Sequence, residues 1–527
     1  MTLTDGDHPL GVTGPSSLID LHSDIWIHVT TFLPTPALAA LMQTSSHLVE
    51  LAASALCTRT KDTPLRRALD VVSFYHFLRI GDSISRRAAR VKVLRFEIGD
   101  AADLYQLPDI SPGEVINAFT EILHHCRDLR RLQMIQWYYQ VPPSHIYRSI
   151  SHSGLLEELE LNVVEEVEEE DVLQLANLPL RTLLCSSTAR VSSKPRDYAV
   201  LGTGPLARTL VEVQLPLPAH ACTLLGATFN SVRKLRISVP RHSTFVNDLR
   251  ITFPNISHLT LLGQCPWHDP RRPWASRHAE DGNDVIRQAH QQQWKDDPNM
   301  LPALKYVRVE DPRAAYILGL NKPISWISIK WLSYTPSHIF PDVIAHTHPT
   351  SLEFVLDNPN YRGSLLIDNG PFGGLQELAD RPGAVSSLRC LTIHFRCFMI
   401  PSVERDLDEA LDMLESVLRH LPISHLMLKL DTGPVYPDFL DYIKVTYDPQ
   451  EGAEILDAAE GWAELMAEAS HTLQWFGVYV PKDRVRCWEL SRQVSGGEGV
   501  ESIVILHEME EDQAWELLLR EQLREFI

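Results

Sequence analysis

Residues Leu156 to Leu161 read LEELEL, and this spacing of apolar residues recurs along most of the chain. The order is apolar-x-x-apolar-x-apolar, so its last four positions alternate with the two-residue period of a β-strand. Turn residues precede several copies, and apolar stripes with helical spacing lie between them. The pattern therefore predicts one short strand plus one helix or loop in each unit. The ten copies begin at Leu129, Leu156, Leu210, Val232, Ile256, Leu304, Ile324, Leu388, Ile423 and Leu473.

The spacing of the copies indicates the kind of array. Leu210 and Val232 start 22 residues apart, and Val232 and Ile256 start 24 residues apart. Units of about 20–29 residues are typical of leucine-rich repeats. We therefore predict an α/β fold in which residues 91–507 form an irregular leucine-rich-repeat solenoid, with a parallel sheet on its concave face and a polar insertion at about 263–300. The alternative is an ordinary α/β domain with parallel strands.

The stretch from Leu21 to Leu48 has a different pattern and reads LHSDIWIHVTTFLPTPALAALMQTSSHL. Ser23 is a suitable helix N-cap, and the apolar residues that follow it have helical spacing. Pro34 and Pro36 end this helix and can begin the next one. The sequence therefore predicts two amphipathic helices joined by a short turn.

This stretch resembles an F-box, the helical module that docks onto the Skp-type adaptor of a cullin-RING ubiquitin ligase. His22, Ala37 and Leu48 depart from the Pro, Asp and Trp of the family pattern. The resemblance implies an adaptor-binding surface made by Leu21, Asp24, Ile25, Val29, Leu33, Leu38, Leu41, Ser45 and Leu48. The alternative is an ordinary helical hairpin that buries both stripes in the core of the chain itself.

The expected organisation follows from these patterns. A cap-and-proline pair at Thr63 and Pro64 starts a further helical segment. After the repeats, an acidic stretch leads into apolar residues that can cover the end of a repeat array. A partner-binding helix is the alternative for this last segment. The predicted divisions are a disordered tail at 1–17, an F-box-like helical domain at 18–62, a linker helix at 63–90, the repeats at 91–507 and a capping helix at 508–527.

Composition narrows the class of function. The net charge is −20, which argues against general binding to nucleic acid or to an anionic membrane surface. The N-terminus lacks the pattern of a signal peptide, and no apolar run is long enough for a membrane span. We therefore expect a cytoplasmic or nuclear protein whose 8 cysteines are reduced and buried.

Catalytic and metal motifs are missing from the sequence. It contains no phosphate-binding glycine loop, nucleophile elbow or His-Glu-x-x-His pair. Two Cys/His groupings lack zinc-site spacing, so we predict no metal, no cofactor and no enzyme activity. The groupings are Cys390, His394 and Cys397, and Cys265, His268 and His278.

The strand residues between the apolar positions are expected to face the concave side. In the middle repeats several of them are basic or aromatic, the residue types that dominate binding hot spots. We predict that they bind a substrate protein through an acidic or phosphorylated segment; the alternative is a solvated strand surface without a partner. With the F-box resemblance, the implied partners are a Skp-type adaptor, a cullin scaffold and this substrate. The candidate substrate-binding residues are Arg236, Tyr306, Arg308, Trp326 and Lys330.

Overall fold

A computed structural model describes most of the chain, and its described part divides into two compact units. The first comprises Met1–Val141 and Arg148–Glu157, and the second comprises Pro142–Tyr147 and Glu158–Ile527. The described residues are 23–60, 63–80, 84–97, 110–134, 143–163, 173–187, 204–214, 228–238, 243–262, 275–331, 339–356, 371–381, 383, 385–396, 403–431, 449–480, 484–493 and 503–520.

The first unit is mainly helical. It also contains a parallel pair of strands, β1 (Val93–Phe96) and β2 (Arg131–Met134). A further helix, Pro143–Ile150, has residues in both units. The other helices of the first unit are Ser23–Phe32, Thr35–Met42, Ser46–Arg59, Ala68–Arg79, Ile84–Ala88 and Pro112–His125.

The N-terminal helices number three in the described part, where the pattern predicted two. The additional helix, Ser46–Arg59, begins where the Ser45 hydroxyl accepts a hydrogen bond from the Leu48 amide at 3.2 Å. At its other end, the Arg59 guanidinium donates to the carbonyls of Thr30 and Thr31 at 3.2 and 2.9 Å. These carbonyls belong to the last turn of the first helix, where a cation is favourable. The arginine thus ties the third helix to the first.

A buried arginine connects the N-terminal helices to the segment that follows. The Arg87 side chain is 2% exposed and lies 2.8 Å from the Glu50 carboxylate. It also donates to the carbonyls of Phe77 and Ile80 at the end of the helix Ala68–Arg79. A buried charge is tolerated when it is paired and hydrogen-bonded, so Arg87 holds this part of the first unit together.

The second unit contains one long sheet whose strands follow each other in sequence order. Neighbouring strands from β3 to β13 pair in parallel, whereas β14 is antiparallel to β13 and β15 is antiparallel to β14. The strands are β3 (Glu158–Val163), β4 (Thr182–Ser187), β5 (Glu212–Gln214), β6 (Lys234–Ser238), β7 (His258–Leu262), β8 (Tyr306–Val309), β9 (Trp326–Trp331), β10 (Ser351–Leu356), β11 (Cys390–Arg396), β12 (His425–Asp431), β13 (Trp475–Val480), β14 (Arg484–Gln493) and β15 (Ile503–Glu508).

Each of the ten predicted motif copies contains a strand in this structure. The parallel-dominated sheet with its helices is compatible with a solenoid-like repeat fold. The expectation of a parallel sheet through residue 507 was wrong for the last two strands. They reverse direction because β13 and β14 are joined by a short connection, and parallel neighbours need a long crossover.

Helices connect most strands of the second unit, and their side chains pack on one face of the sheet. The Phe340 and Phe354 rings, from the helix Ile339–Thr347 and from β10, have centroids 5.0 Å apart. We call this the helix face and the other the opposite face. These helices are Leu206–Thr209, Phe245–Thr252, Ala275–Asp296, Pro312–Leu318, Ile339–Thr347, Pro371–Ala379, Val403–Leu418 and Pro449–Ala469. The C-terminal helix Glu511–Arg520 follows the last strand and packs on the opposite face.

The stretch predicted as a polar insertion contains the helix Ala275–Asp296, which packs on its neighbour Pro312–Leu318. The Trp294 indole donates to the Leu318 carbonyl at 3.1 Å, and the buried His290 ring is hydrogen-bonded to the Ile317 carbonyl at 2.7 Å. This part of the insertion is therefore integrated into the second unit. None of the described helices is long and apolar enough to cross a membrane.

Candidate functional site

The opposite face of the second unit is arranged in rows of side chains. Register pairs Tyr306 with Trp326 and, several strands on, His425 with Trp475. A second row contains Ser328, Glu353, Thr392, Met427 and Gly477, and a third contains Lys330, Val355, His394, Lys429 and Tyr479. Several of these side chains are almost completely buried, so this face is not a simple solvated surface.

A buried ion pair lies at the centre of these rows. The Lys429 ammonium is 3.2 Å from the Glu353 carboxylate, and the Ser328 hydroxyl donates to the same carboxylate at 2.7 Å. Glu353 is on β10 and Lys429 on β12, so the pair spans β11. Both charges are desolvated, which is costly unless they remain paired.

The electrostatics of Glu353 follow from this geometry. Burial alone would raise the pKa of the Glu353 carboxyl, but the Lys429 ammonium and the Ser328 hydrogen bond outweigh burial. His394 and Arg308 act in the same direction, and the pKa is held below its usual range. Glu353 is therefore ionised at neutral pH.

An aromatic cluster lies beside the ion pair, and the C-terminal helix Glu511–Arg520 contributes to it. We define the cluster by its buried members and by the partly buried residues packed on them. The Tyr479 and Trp515 rings meet edge to face with centroids 6.2 Å apart. The buried members are Trp326, Met427, Trp475, Val485, Cys487 and Ala514; the partly buried ones are Tyr306, Tyr479, Met509, Trp515 and Leu517.

A glycine makes room for one ring of the aromatic cluster. A Cβ at Gly477 would lie 2.6 Å from Cη2 of Trp475 and 3.1 Å from Sγ of Cys487. Any larger residue would have to displace the indole or the strand. The absence of a side chain at Gly477 therefore leaves the room that the Trp475 indole occupies.

The predicted substrate-binding residues are in different environments. Trp326 is 3% exposed inside the aromatic cluster, so the expectation that it is a surface contact was wrong. Arg236 lies 2.7 Å from the Glu212 carboxylate, and the Tyr306 ring stacks on His258 at 4.1 Å between centroids. Arg308 and Lys330 are half-buried. The opposite face brings these residues onto one surface, but only some are accessible.

Sequence reasoning missed Glu353 and Lys429. Glu353 lies between Leu352 and Phe354 in a further copy of the motif, whose first position is Pro349. The alternation of Leu352 and Phe354 is the local signal for this strand. Its pairing with Lys429, 76 residues further on, carries no local signal.

The first helix of the first unit has an exposed apolar stripe. Ile25 is 47% exposed and Phe32 is 74% exposed, whereas Trp26 and Thr30 on the other side are buried. Val29, between Ile25 and Phe32 on the same side, is half-buried. Single exposed apolar residues are ordinary, but a contiguous stripe on one helix indicates a surface that a partner can cover.

The remaining predicted adaptor-binding residues fall into three groups. Leu38 and Leu48 are buried within the chain, and the Ser45 side chain caps the third helix. Leu33 and Leu41 are half-buried. Leu21 lies outside the described residues, and of Asp24 only the helical backbone is described.

No group of three or more potential metal-ligating side chains occurs in the described ranges. Cys397, Cys265 and His268 lie outside them, and the side chain of His278 is not described. Five cysteines are buried in the described part, and none forms a disulfide with another. Burial raises the pKa of the Cys185 thiol to about 12, which keeps it protonated and unreactive at neutral pH.

The similarity of this chain to known proteins is low. No family model matches the chain. No curated protein matches it. Among solved structures, a chain in the yeast Rad7 and Elc1 complex is similar with a TM-score of 0.33 and 10% sequence identity, over 81% of this chain and 87% of that chain.

Proposed function

We propose that this protein is a substrate-recognition adaptor of an SCF-type ubiquitin ligase. In this proposal the three N-terminal helices dock onto a Skp-type adaptor, and the second unit captures a substrate protein. The observation that carries the proposal is the apolar stripe of Ile25, Val29 and Phe32 on the helix that resembles the start of an F-box. Covering it with a partner removes apolar area from water, which favours association.

The proposed mechanism is proximity and requires no chemistry in this chain. The Skp-type adaptor connects to a cullin scaffold, which holds the ubiquitin-conjugating enzyme. Holding a substrate lysine near the ubiquitin thioester raises its effective concentration. The chain is therefore proposed to be a non-catalytic subunit without a cofactor.

A second candidate function is a protein-interaction scaffold with no role in ubiquitin transfer. The burial of Leu38 and Leu48 favours it, because these residues fill the helical core of the chain instead of facing a partner. Leu48 also stands where the F-box pattern has Trp. Adaptor binding separates the two candidates.

The test uses Ile25→Asp and Phe32→Asp, with Thr31→Asp as the control on another side of the same helix. A charge placed in an apolar interface costs several kcal/mol, so each stripe variant should weaken adaptor binding by about a hundredfold or more. The control should bind within about threefold of the parent, since surface substitutions away from a contact are usually near neutral.

The measurement is binding of the purified full chain to an immobilised Skp-type adaptor, with circular dichroism to check the fold. Leu38→Asp is expected to unfold the N-terminal helices and is a positive control for misfolding. Unchanged binding by both stripe variants, with intact folds, would leave the scaffold as the better explanation.

A further inference from the structure

A cavity of about 860 Å³ opens beside the aromatic cluster, within the second unit. It lies between the first residues of β12 and β13 and the C-terminal helix Glu511–Arg520. His425 and Trp475 line its strand side, and Gln513 and Glu516 line its helix side. Its volume is in the range of sites that hold a small ligand or a few residues of a peptide.

Two acidic side chains are among those that line the cavity. Glu489 on β14 and Glu516 on the C-terminal helix both line it, and both are exposed. Neither carboxylate has an ion-pair partner within the described ranges. No lysine or arginine is among the described lining residues. The local charge therefore favours a cation and opposes an anion.

The rest of the lining is partly apolar. Trp475, Met509 and Leu517 line the cavity beside the two carboxylates. The aliphatic stem of an Arg or Lys side chain can pack on such a surface while its charged end reaches a carboxylate.

We propose that this cavity binds a basic segment of a partner protein. An Arg or Lys side chain enters between Glu489 and Glu516, and its aliphatic stem packs on the apolar part of the lining. Gln474 and Gln513 also line the cavity and can hydrogen-bond the peptide backbone. The proposal differs from the acidic or phosphorylated segment that the sequence pattern suggested. Binding of a basic segment does not depend on the proposed function. The statement that this segment belongs to a substrate of a ubiquitin ligase does rest on the proposed function.

The experiment measures binding of the full chain to a short, acetylated, fluorescent peptide of alternating Arg and Ala, by fluorescence anisotropy. Matched peptides carry citrulline or Glu in place of Arg. We expect the Arg peptide to bind at least about tenfold more tightly than the citrulline peptide, and binding to weaken with salt, because exposed charge pairs are screened. Equal binding of the Arg and citrulline peptides, or tighter binding of the Glu peptide, would overturn the proposal.

Protein variants locate the site. The double variant Glu489→Gln and Glu516→Gln keeps the shape of both side chains and should weaken Arg-peptide binding by about tenfold. The control is Glu511→Gln with Asp512→Asn, which removes two charges from the same helix at residues that are not among the lining. Equal losses in both double variants would indicate nonspecific attraction to an acidic protein and count against the cavity.

The same preparations separate this proposal from the proposed function. Skp-type adaptor binding, measured on the cavity variants, is expected to equal that of the parent chain. If the Arg peptide binds in the cavity but the adaptor does not bind, the ubiquitin-ligase role fails and the basic-segment site stands. If the adaptor binds but the Arg peptide shows no preference, the substrate class proposed here fails alone.

Discussion

The Lys429 ammonium lies 3.2 Å from the Glu353 carboxylate, and the two side chains are 2% and 3% exposed. They belong to strands separated by β11, so the pair holds β10, β11 and β12 in one register on the opposite face of the sheet. Breaking a buried pair leaves an uncompensated charge, which costs more than the pair contributes.

Loss of either partner is therefore expected to destabilise the second unit strongly. Glu353→Gln or Lys429→Met alone should lower the free energy of unfolding by about 3–5 kcal/mol, because the remaining charge is buried without its partner. The double variant should lose less than the sum of the single losses, because the two sites share one interaction. Urea unfolding followed by circular dichroism measures all three.

The control for this prediction is a partly exposed pair in the same sheet. The Arg236 side chain is 43% exposed in its pair with Glu212. Arg236→Met breaks this pair and should lower the free energy of unfolding by less than about 1 kcal/mol. Equal losses for Arg236→Met and Lys429→Met would show that burial does not govern the strength of these pairs.

Stability should depend on pH through Glu353. Its pKa is lowered in the folded state, so its contribution is fully present above the unfolded-state value of about 4.3 and is lost as pH falls through the folded pKa. The parent chain should therefore lose stability in acid, and Glu353→Gln should show a shallower dependence below about pH 4.3. Urea midpoints measured between neutral and acidic pH test this, and parallel curves for the two proteins would contradict it.

Gly477→Ala should destabilise the fold, because its new methyl group meets the Trp475 indole at 2.6 Å. Overpacking of this kind typically costs about 1–3 kcal/mol. Gly461→Ala is the matched control: it lies in the helix Pro449–Ala469 with nothing within 4 Å of the added Cβ. That variant should gain up to about 1 kcal/mol from helix propensity. Thermal unfolding of both variants gives the comparison, and the same sign of shift in both would refute the close contact at Gly477.

Trp326→Ala distinguishes a core residue from a surface contact. At 3% exposure, truncation of Trp326 should cost about 3–5 kcal/mol by leaving a cavity in the aromatic cluster. Ile503→Ala, at a position that is 60% exposed, should change the free energy of unfolding by no more than about 0.5 kcal/mol. Chemical denaturation measures both. A change of less than about 0.5 kcal/mol for Trp326→Ala would contradict its burial and support the accessible position that the sequence pattern predicted.

The strands within the ten predicted motif copies could be read from the chain itself. Alternation of apolar residues is a local property, so each copy such as Leu156–Leu161 carries the information for its own strand. The further copy that begins at Pro349 has the same alternation at Leu352 and Phe354. The start of the third helix also has a local cause, because the Ser45 hydroxyl caps it, although the apolar pattern predicted only two helices.

Tertiary structure decided which residues of the opposite face are buried. Alternation shows that Trp326 and Glu353 point away from the helix face, but whether solvent or other side chains meet them there depends on residues distant in sequence. Ala514 and Trp515 reach the aromatic cluster only because the last strands reverse direction and lead the C-terminal helix back to it. Lys429 pairs with Glu353, which is 76 residues away in sequence, because the parallel sheet brings their strands close together. No local sequence pattern predicts this pairing.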